Sequence, residues 1–267
     1  SQNVIGVIEP GKKIRKTVIF TSHHDSGFIS PLFKDRNHGI FFIKTGIVFS
    51  FFAGLSIILN MAFFLFPRYS YFQPVLFIFL LSYFILFTFI SFRIKDWKKF
   101  SPGANDNLSA VALILSIAEK IKKLKLKNTM VLFVSFGCEE ISAVGSQKYV
   151  GKHYNEIKDA VCINFDAIGS GSYFGFMDIE RIGLVRYDEK LKKDFKRCIV
   201  QNKGKIAKGK VRLFGITDGG SFARKNIKAV SILGVDENNL IPFWHQENDT
   251  ADKIKAENIE ILTNACL

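Results

Sequence analysis

Apolar positions along this chain fall into three regimes. In the first, "NVIGVIEPGKKIRKTVIFTS" (3–22), two β-favouring runs flank the turn Pro10-Gly11-Lys12-Lys13 and predict a pair of strands. The second regime shows no polar interruption. "TGIVFSFFAGLSIILNMAFFLF" (45–66) and "YSYFQPVLFIFLLSYFILFTFISF" (69–92) carry no charge. Each is long enough, at roughly 20 residues, to cross a bilayer as a helix. Buried core helices of that length normally keep one polar face, so the pair, punctuated by Pro67 and Arg68, predicts a transmembrane hairpin. In the third regime short apolar runs alternate with amphipathic ones. "LSAVALILSIAEKIKKLK" predicts a helix with Leu108, Val111, Ala112, Leu115, Ala118 and Ile121 on its apolar face. Strands are expected over "TMVLFVSFG", "AVCINFDAIG" and "IKAVSILG". Helices are expected over 142–152, "YDEKLKKDFKRCIVQNK" and "KAENIEILTNACL".

Apolar strands alternating with helices imply an α/β fold, with a mixed, mostly parallel sheet covered by helices. The hairpin interrupts it, which divides the chain into 1–38, 39–93 and 94–267. Composition sharpens this picture. A net charge of +13 accompanies a positive mean hydropathy of +0.16, and 28 phenylalanines explain the latter. Basic charge fits nucleic acid or an anionic membrane surface. No basic helix with interleaved stacking aromatics is present, so no nucleic-acid partner is expected and a bilayer with anionic headgroups is. The four cysteines show no CxxC spacing and read as reduced, buried thiols. The opening residues lack a basic start followed by an apolar core, so no signal peptide is expected. The chain passes directly into a strand-like segment and reads as part of a longer protein.

The chemistry-bearing residues gather at predicted strand ends. One strand ends in His23-His24-Asp25, another in Cys138-Glu139-Glu140, a third in Asp166-Ala167-Ile168-Gly169. Ligands of open α/β sheets bind outside the carboxyl ends of strands. "SPGANDNLSA" and "FWHQENDT" add an aspartate and a histidine. Imidazole and carboxylate are what zinc accepts when no thiolate is offered, and a pair of zinc ions needs about five or six such groups, one of them bridging.

The ordered set "SHHDS", "PGANDNLSAVA", "SFGCEEISAVGSQKYV", "NFDAIG" and "FWHQENDT" resembles the co-catalytic di-zinc exopeptidases of peptidase clan MH, the group of aminopeptidases S and Y. The likeness covers the chain outside 28–100. It implies two zinc ions held by His23, Asp106, Glu140, Asp166 and His245, with Asp106 as the bridge. Asp166 would join His23 on one ion, and Glu140 would join His245 on the other. The resemblance also implies that Asp25 orients the His23 imidazole and that Glu139 is the general base. Asp218 and Phe222, in "ITDGGSFARKNI", occupy a loop that lines the substrate pocket in such relatives; plain turn chemistry at Gly219-Gly220 is the alternative. His24 is expected to point away from the metals by strand alternation, and His153 to lie on a helix surface.

The activity implied is that of a membrane-anchored aminopeptidase acting on peptides. The alternatives are a zinc carboxypeptidase, for which Arg224 would have to meet the substrate carboxylate, a glutaminyl-cyclase-like amidohydrolase, or a catalytically silent scaffold. Glutaminyl cyclases keep one zinc, and a silent scaffold would have lost ligands; all five are present here. Two crossings return the chain to the side it left. Lys34, Arg36, Lys44, Arg93, Lys95, Lys98 and Lys99 flank the hairpin, whereas only Arg68 lies in its turn. The positive-inside rule then places the catalytic domain of a multi-pass cell-membrane protein in the cytoplasm. Oligomeric state is not legible.

Overall fold

The structure, a computed structural model, describes residues 2–30, 45–46, 48, 50–59, 61, 73–94, 96–180, 185–211 and 215–267. They form two compact units, one of residues 1–27 with 101–267, the other of residues 28–100. Strands β1 (Val4–Ile8) and β2 (Lys16–His23) open the first unit. Strand β3 (Phe28–Ile29), helix α1 (Gln73–Ile94) and strand β4 (Asp96–Phe100) belong to the second. The first unit resumes with α2 (Ser109–Lys123), β5 (Thr129–Phe136), α3 (Val144–Ile157), β6 (Val161–Asp166) and β7 (Tyr173–Phe176). The short strands β8 (Ile179–Glu180) and β9 (Val185–Arg186) follow, then α4 (Glu189–Gln201), α5 (Asp218–Ala223), β10 (Lys228–Val235) and α6 (Ala256–Ala265).

Six strands make the main sheet in the order β1-β5-β2-β6-β10-β7. The four central strands are parallel and the two edge strands antiparallel. This is the mixed, mostly parallel sheet that the apolar runs predict. Alternation along each strand builds two cores. Phe20, Phe133 and Phe165 face α2, α4 and α6, packing on Leu113, Ile117, Phe195 and Leu262. Ile19, Val134 and Cys162 face α3 and α5, packing on Tyr149, Val150 and Phe222. Helices therefore cover both faces, as strands buried on two sides require.

The phase of α2 differs from the expected one. Its buried stripe is Ala110, Leu113, Ile114, Ile117 and Ile121, while Leu108 and Leu115 are exposed. Apolar residues lie on both sides of this helix in sequence. The preceding π-helical turn Ala104–Leu108 sets the helix's rotation, and that turn is shaped by tertiary contacts described below.

Strand order also fixes where ligands can bind. From β2 the chain moves to β5 on one side, and from β6 to β10 on the other, so the connections diverge between β2 and β6. The β2–β6 ladder runs from Val18↔Val161 to Thr21↔Asn164. It stops two residues short of His23 and Asp166, which leaves a crevice at the topological switch point.

The unit of residues 28–100 is bounded differently from the expected 39–93. Strands β3 and β4 pair antiparallel, and Phe28 stacks on Phe100 with ring centroids 4.5 Å apart, so both flanking strands belong with the insert. Residues 50–59 are helical, as is α1. The expected turn at Pro67 and Arg68 and the basic flank Lys34, Arg36 and Lys44 lie outside the described residues. Among the described residues no helix is long and apolar enough to cross a membrane.

Candidate metal centre

The carboxyl ends of β2, β5 and β6 deliver His23, the Glu139-Glu140 pair and Asp166 to the crevice. Alternation puts Ile19, Thr21 and His23 on one face of β2 and Cys162, Asn164 and Asp166 on the same face of β6. The ligand-type residues thus form the top row of a layered strip, with Thr21 beside Asn164 and Asn164 beside Ser231 in the row beneath.

Two constellations result. His23, Asp106 and Asp166 offer ligand atoms within 4.8 Å of one another, and so do Asp106, Glu140 and His245. Asp106 belongs to both through different oxygens. Its Oδ1 lies 3.2 Å from His23 Nε2, and its Oδ2 lies 3.6 Å from His245 Nε2. Asp166 Oδ1 is 3.7 Å from His23 Nε2, and Glu140 Oε2 is 3.0 Å from His245 Nε2. Glu139 is in neither group, yet its Oε2 sits 3.8 Å from His23 Nε2.

Two further carboxylates hold this arrangement from behind. Asp25 accepts the backbone N–H of Glu139 on one oxygen (3.1 Å) and that of Glu140 on the other (3.2 Å). The shorter contact to the His23 ring comes from the Asp25 backbone carbonyl, 3.1 Å from Nδ1, with the carboxylate at 3.6 Å. The Asp25 backbone carbonyl thus lies beside the His23 ring, and its carboxylate pins both glutamates. Asp249 acts likewise on the other side, accepting Asn105 N–H at 2.6 Å and Asp106 N–H at 3.1 Å. Asn107 ties this turn to the end of β6 through Phe165 C=O and Ala167 N–H. The Asp106–Asn107 peptide is cis. Cys138, Ala167 and His245, each adjacent to a site residue or one itself, hold φ near +50° to +60°, a conformation rarely kept by residues with a Cβ unless the surroundings enforce it. Asp249 was absent from the expected set, and its place four residues after His245 in "HQEND" is the only signal for it.

The electrostatics point to missing positive charge. Burial pushes the Glu139 carboxyl well above the ordinary range, and burial with the charge of Asp106 raises Glu140. Burial also raises Asp166. Burial disfavours charge on His23 and Asp106 too, but there mutual attraction wins: the carboxylates around His23 raise it well above its usual value, and His23 and His245 lower Asp106. Among the described residues no lysine or arginine pairs with these carboxylates. Glu140 Oε1 is buried without a hydrogen-bond partner. A Cβ on Gly27 would lie 2.5 Å from His245 Cε1 and 2.7 Å from Glu140 Oε2, so the backbone leaves room for that pair to converge. Imidazole and carboxylate donors in two groups of three that share Asp106 fit divalent metal, zinc above all.

The remaining expectations divide. Asp218, on α5, is 1 % exposed, neither carboxylate oxygen has a hydrogen-bond partner, and burial pushes it up to about 7. Phe222 does not line a pocket; it is fully buried against Phe136 and Tyr149, because α5 turns that face into the core. Nor does turn chemistry explain Gly219-Gly220, which lie inside helix α5. A Cβ on Gly219 would meet Ser231 Oγ at 2.2 Å, and one on Gly220 would meet Glu180 Oε2 at 2.0 Å. Glu180 is the end of a buried network beneath the ligands. Tyr187 OH donates to its Oε1 at 2.6 Å, Thr217 N–H at 2.8 Å, and Ser231 bonds Thr217 at 2.7 Å. Thr21 donates to Asn164 at 2.8 Å at the other end. His24 turns away to Ser135 Oγ, and His153 pairs with Glu156 on the surface of α3.

Residues 94–267 match the sequence pattern of peptidase family M28. The chain belongs to peptidase family M28. The aminopeptidase YwaD of Bacillus subtilis is 36 % identical over 78 residues, 28 % of this chain and 17 % of that protein. Among solved structures, an aminopeptidase from Aneurinibacillus sp. strain AM-1 aligns with a TM-score of 0.60 and 20 % identity, over 99 % of this chain and 46 % of its own. BSAP, a zinc aminopeptidase from Bacillus subtilis, gives 0.60 and 18 %, over 99 % and 48 %. A glutaminyl cyclase from Porphyromonas gingivalis gives 0.62 and 14 %, over 98 % and 74 %. At these identities the likeness is one of fold, and this M28 chain spans about half the length of the solved aminopeptidases it matches.

Gly27→Ala tests the packing of the second constellation. The added methyl must displace His245 or Glu140, so zinc affinity should fall about 10–100-fold while circular dichroism stays unchanged. Calorimetric zinc titration showing wild-type affinity would contradict the geometry.

Proposed function

We propose that this M28 chain is a di-zinc aminopeptidase anchored to a membrane. The observation that carries the reading is Asp106: its two oxygens serve two separate histidine–carboxylate groups, and Glu139 stands beside His23 of the first while belonging to neither. His23, Asp106 and Asp166 would hold one ion, and Asp106, Glu140 and His245 the other. Bound zinc supplies Lewis acidity, polarising a carbonyl and acidifying a water. Glu139 Oε2 then takes the proton of the attacking water and returns it to the leaving amine. Its placement fits, since Asp25 fixes its backbone beside the ligand-type groups. Asp218, buried, acidic and without a partner, suits a free α-ammonium group. Arg224 is exposed at the end of α5, so no described cation waits for a substrate carboxylate, which disfavours the carboxypeptidase reading.

Anchoring rests on the insert. Phe77, Ile78, Phe79, Leu81, Phe84, Ile85 and Phe89 are exposed on α1, and exposed apolar surface of that extent needs cover. Ser101 N–H donates to Gly27 C=O at 2.9 Å, so the insert leaves and re-enters the catalytic unit at one point. An even number of crossings satisfies that, and the basic flanks favour a cytoplasmic catalytic unit.

Glu139→Gln should cut turnover by ~10²–10⁴ while the purified protein keeps two zinc ions per chain by metal analysis. A single ion in fully active protein would defeat the two-metal reading, and retained activity would mean the base is another group.

Peptides with a free amino terminus should be hydrolysed and their N-acetylated forms left intact. Equal turnover of the two, followed by liquid chromatography, would rule out an aminopeptidase.

For orientation, single cysteines placed at Ser70 and Lys152 can be probed on intact cells with an impermeant thiol reagent. Position 70 should react and position 152 should not; the reverse pattern would put the catalytic unit outside.

A further inference from the structure

We propose that residues 203–210 and the exposed basic face of α4 form a docking surface for the anionic headgroups of a lipid bilayer. The proposal rests on the membrane-anchored reading above and names the surface that would meet the lipid. Charge is segregated within the catalytic unit. Residues 186–210 hold ten Lys and Arg against three Asp and Glu, whereas the rest of that unit holds nineteen of each sign. Its whole positive excess lies in one segment.

The segment keeps little of that charge internally neutralised. Lys192 is buried and pairs with Asp178 and Glu189, and Arg197 pairs with Asp194. Lys193, Lys203, Lys205, Lys208 and Lys210 are exposed, and none makes an ion pair among the described residues. A cavity of about 250 Å³ opens among Lys196, Lys208, Lys210 and the single acid Asp178. Val200, 57 % exposed, adds an apolar contact on the same helix. The segment offers no exposed aromatic ring, since Tyr187 and Phe195 are buried, so it lacks the stacking platform that single-stranded nucleic acid uses.

Backbone contacts fix where the segment lies: α4 begins beside Ala229, near the amino end of β10. Phe174 N–H donates to Lys205 C=O at 2.7 Å, and Tyr173, the next residue back, is in register with Val235 at the end of β10. A Cβ on Gly209 would touch Asn239, in the loop that follows β10. Residues 203–210 therefore lie along the carboxyl edge of the parallel strands. Basic residues at an anionic surface add about fivefold in binding each and act only within a Debye length, so an exposed unpaired cluster without a stacking ring suits anionic headgroups.

The test uses the full chain in nanodiscs of phosphatidylcholine alone or with added phosphatidylglycerol, read by lysine acetylation and mass spectrometry. Lys203, Lys205, Lys208 and Lys210 should acetylate severalfold more slowly in anionic discs, with protection lost in high salt and in the triple variant Lys205→Glu/Lys208→Glu/Lys210→Glu. Lys122, Lys123 and Lys127, near the opposite edge, serve as the reference. Equal rates in both discs overturn the proposal, as does protection by an added oligonucleotide with none from anionic lipid. Retention in neutral discs reports on anchoring separately. If the chain is not retained there, the anchoring reading fails, and salt-sensitive binding to anionic vesicles that the triple variant abolishes would still uphold the surface; no such binding would sink it.

Discussion

Everything near the crevice depends on one electrostatic constraint: too many acids share too little water. Asp25, Asp106, Glu139, Glu140, Asp166 and Asp218 surround two imidazoles, and none draws on a described lysine or arginine. Like charges a few ångströms apart in a desolvated site cannot all remain ionised without a compensating cation. The fold does not relieve the conflict by hydrogen bonding either, since Asp218 and one oxygen of Glu140 stay unsatisfied. A protein that keeps such a cluster has its missing term supplied from outside, and divalent metal is the cation that imidazole and carboxylate select.

The same constraint explains the scaffolding. Carboxylates that repel one another will drift unless their backbones are fixed. Asp25 and Asp249 do this in the same manner, each spanning two consecutive N–H groups beside site residues. Beneath them the Thr21–Asn164–Ser231 row replaces apolar contacts with hydrogen bonds across three strands. It ends on Glu180, and the α5 backbone comes too close for any side chain to Ser231 at Gly219 and to Glu180 at Gly220. Asp218 is carried on that helix. Its position is therefore set by the sheet rather than by a flexible loop.

This division also decides what was legible in the sequence. His23, Glu139, Glu140 and Asp166 could be read because strand periodicity marks where each strand stops, and strand ends are where such residues meet. The parallel sheet followed from uninterrupted apolar strands. The phase of α2 did not, because Leu113 and Leu115 look alike until the turn at Ala104–Leu108 fixes the rotation. Phe222 was expected at the pocket because the resemblance puts its segment in a pocket-lining loop, yet here the adjacent glycines mark close packing and not an open loop. Asp249 and Glu180 are single acids in polar surroundings. Only the three-dimensional arrangement shows that they accept backbone hydrogens inside the core.

The insert raises a different physical question: how a site tolerates residues 28–100 between His23 and Asp106, which end 3.2 Å apart. Loop closure grows slowly with length, about 0.6 kcal/mol per doubling, so length alone is a modest burden. More important is that the catalytic unit never depends on the insert to bring its halves together. Ser101 bonds Gly27 directly, and Ser26 Oγ donates to Ser101 C=O at 2.9 Å. Beyond that junction the β3–β4 ribbon and the Phe28–Phe100 stack close the insert on itself. Each side of the junction is sealed by its own contacts, so the insert can bury its apolar helices elsewhere without pulling on the metal ligands. The geometry of the candidate metal centre is therefore set by the sheet ends and by the turns that Asp25, Asn107 and Asp249 hold, and not by the insert.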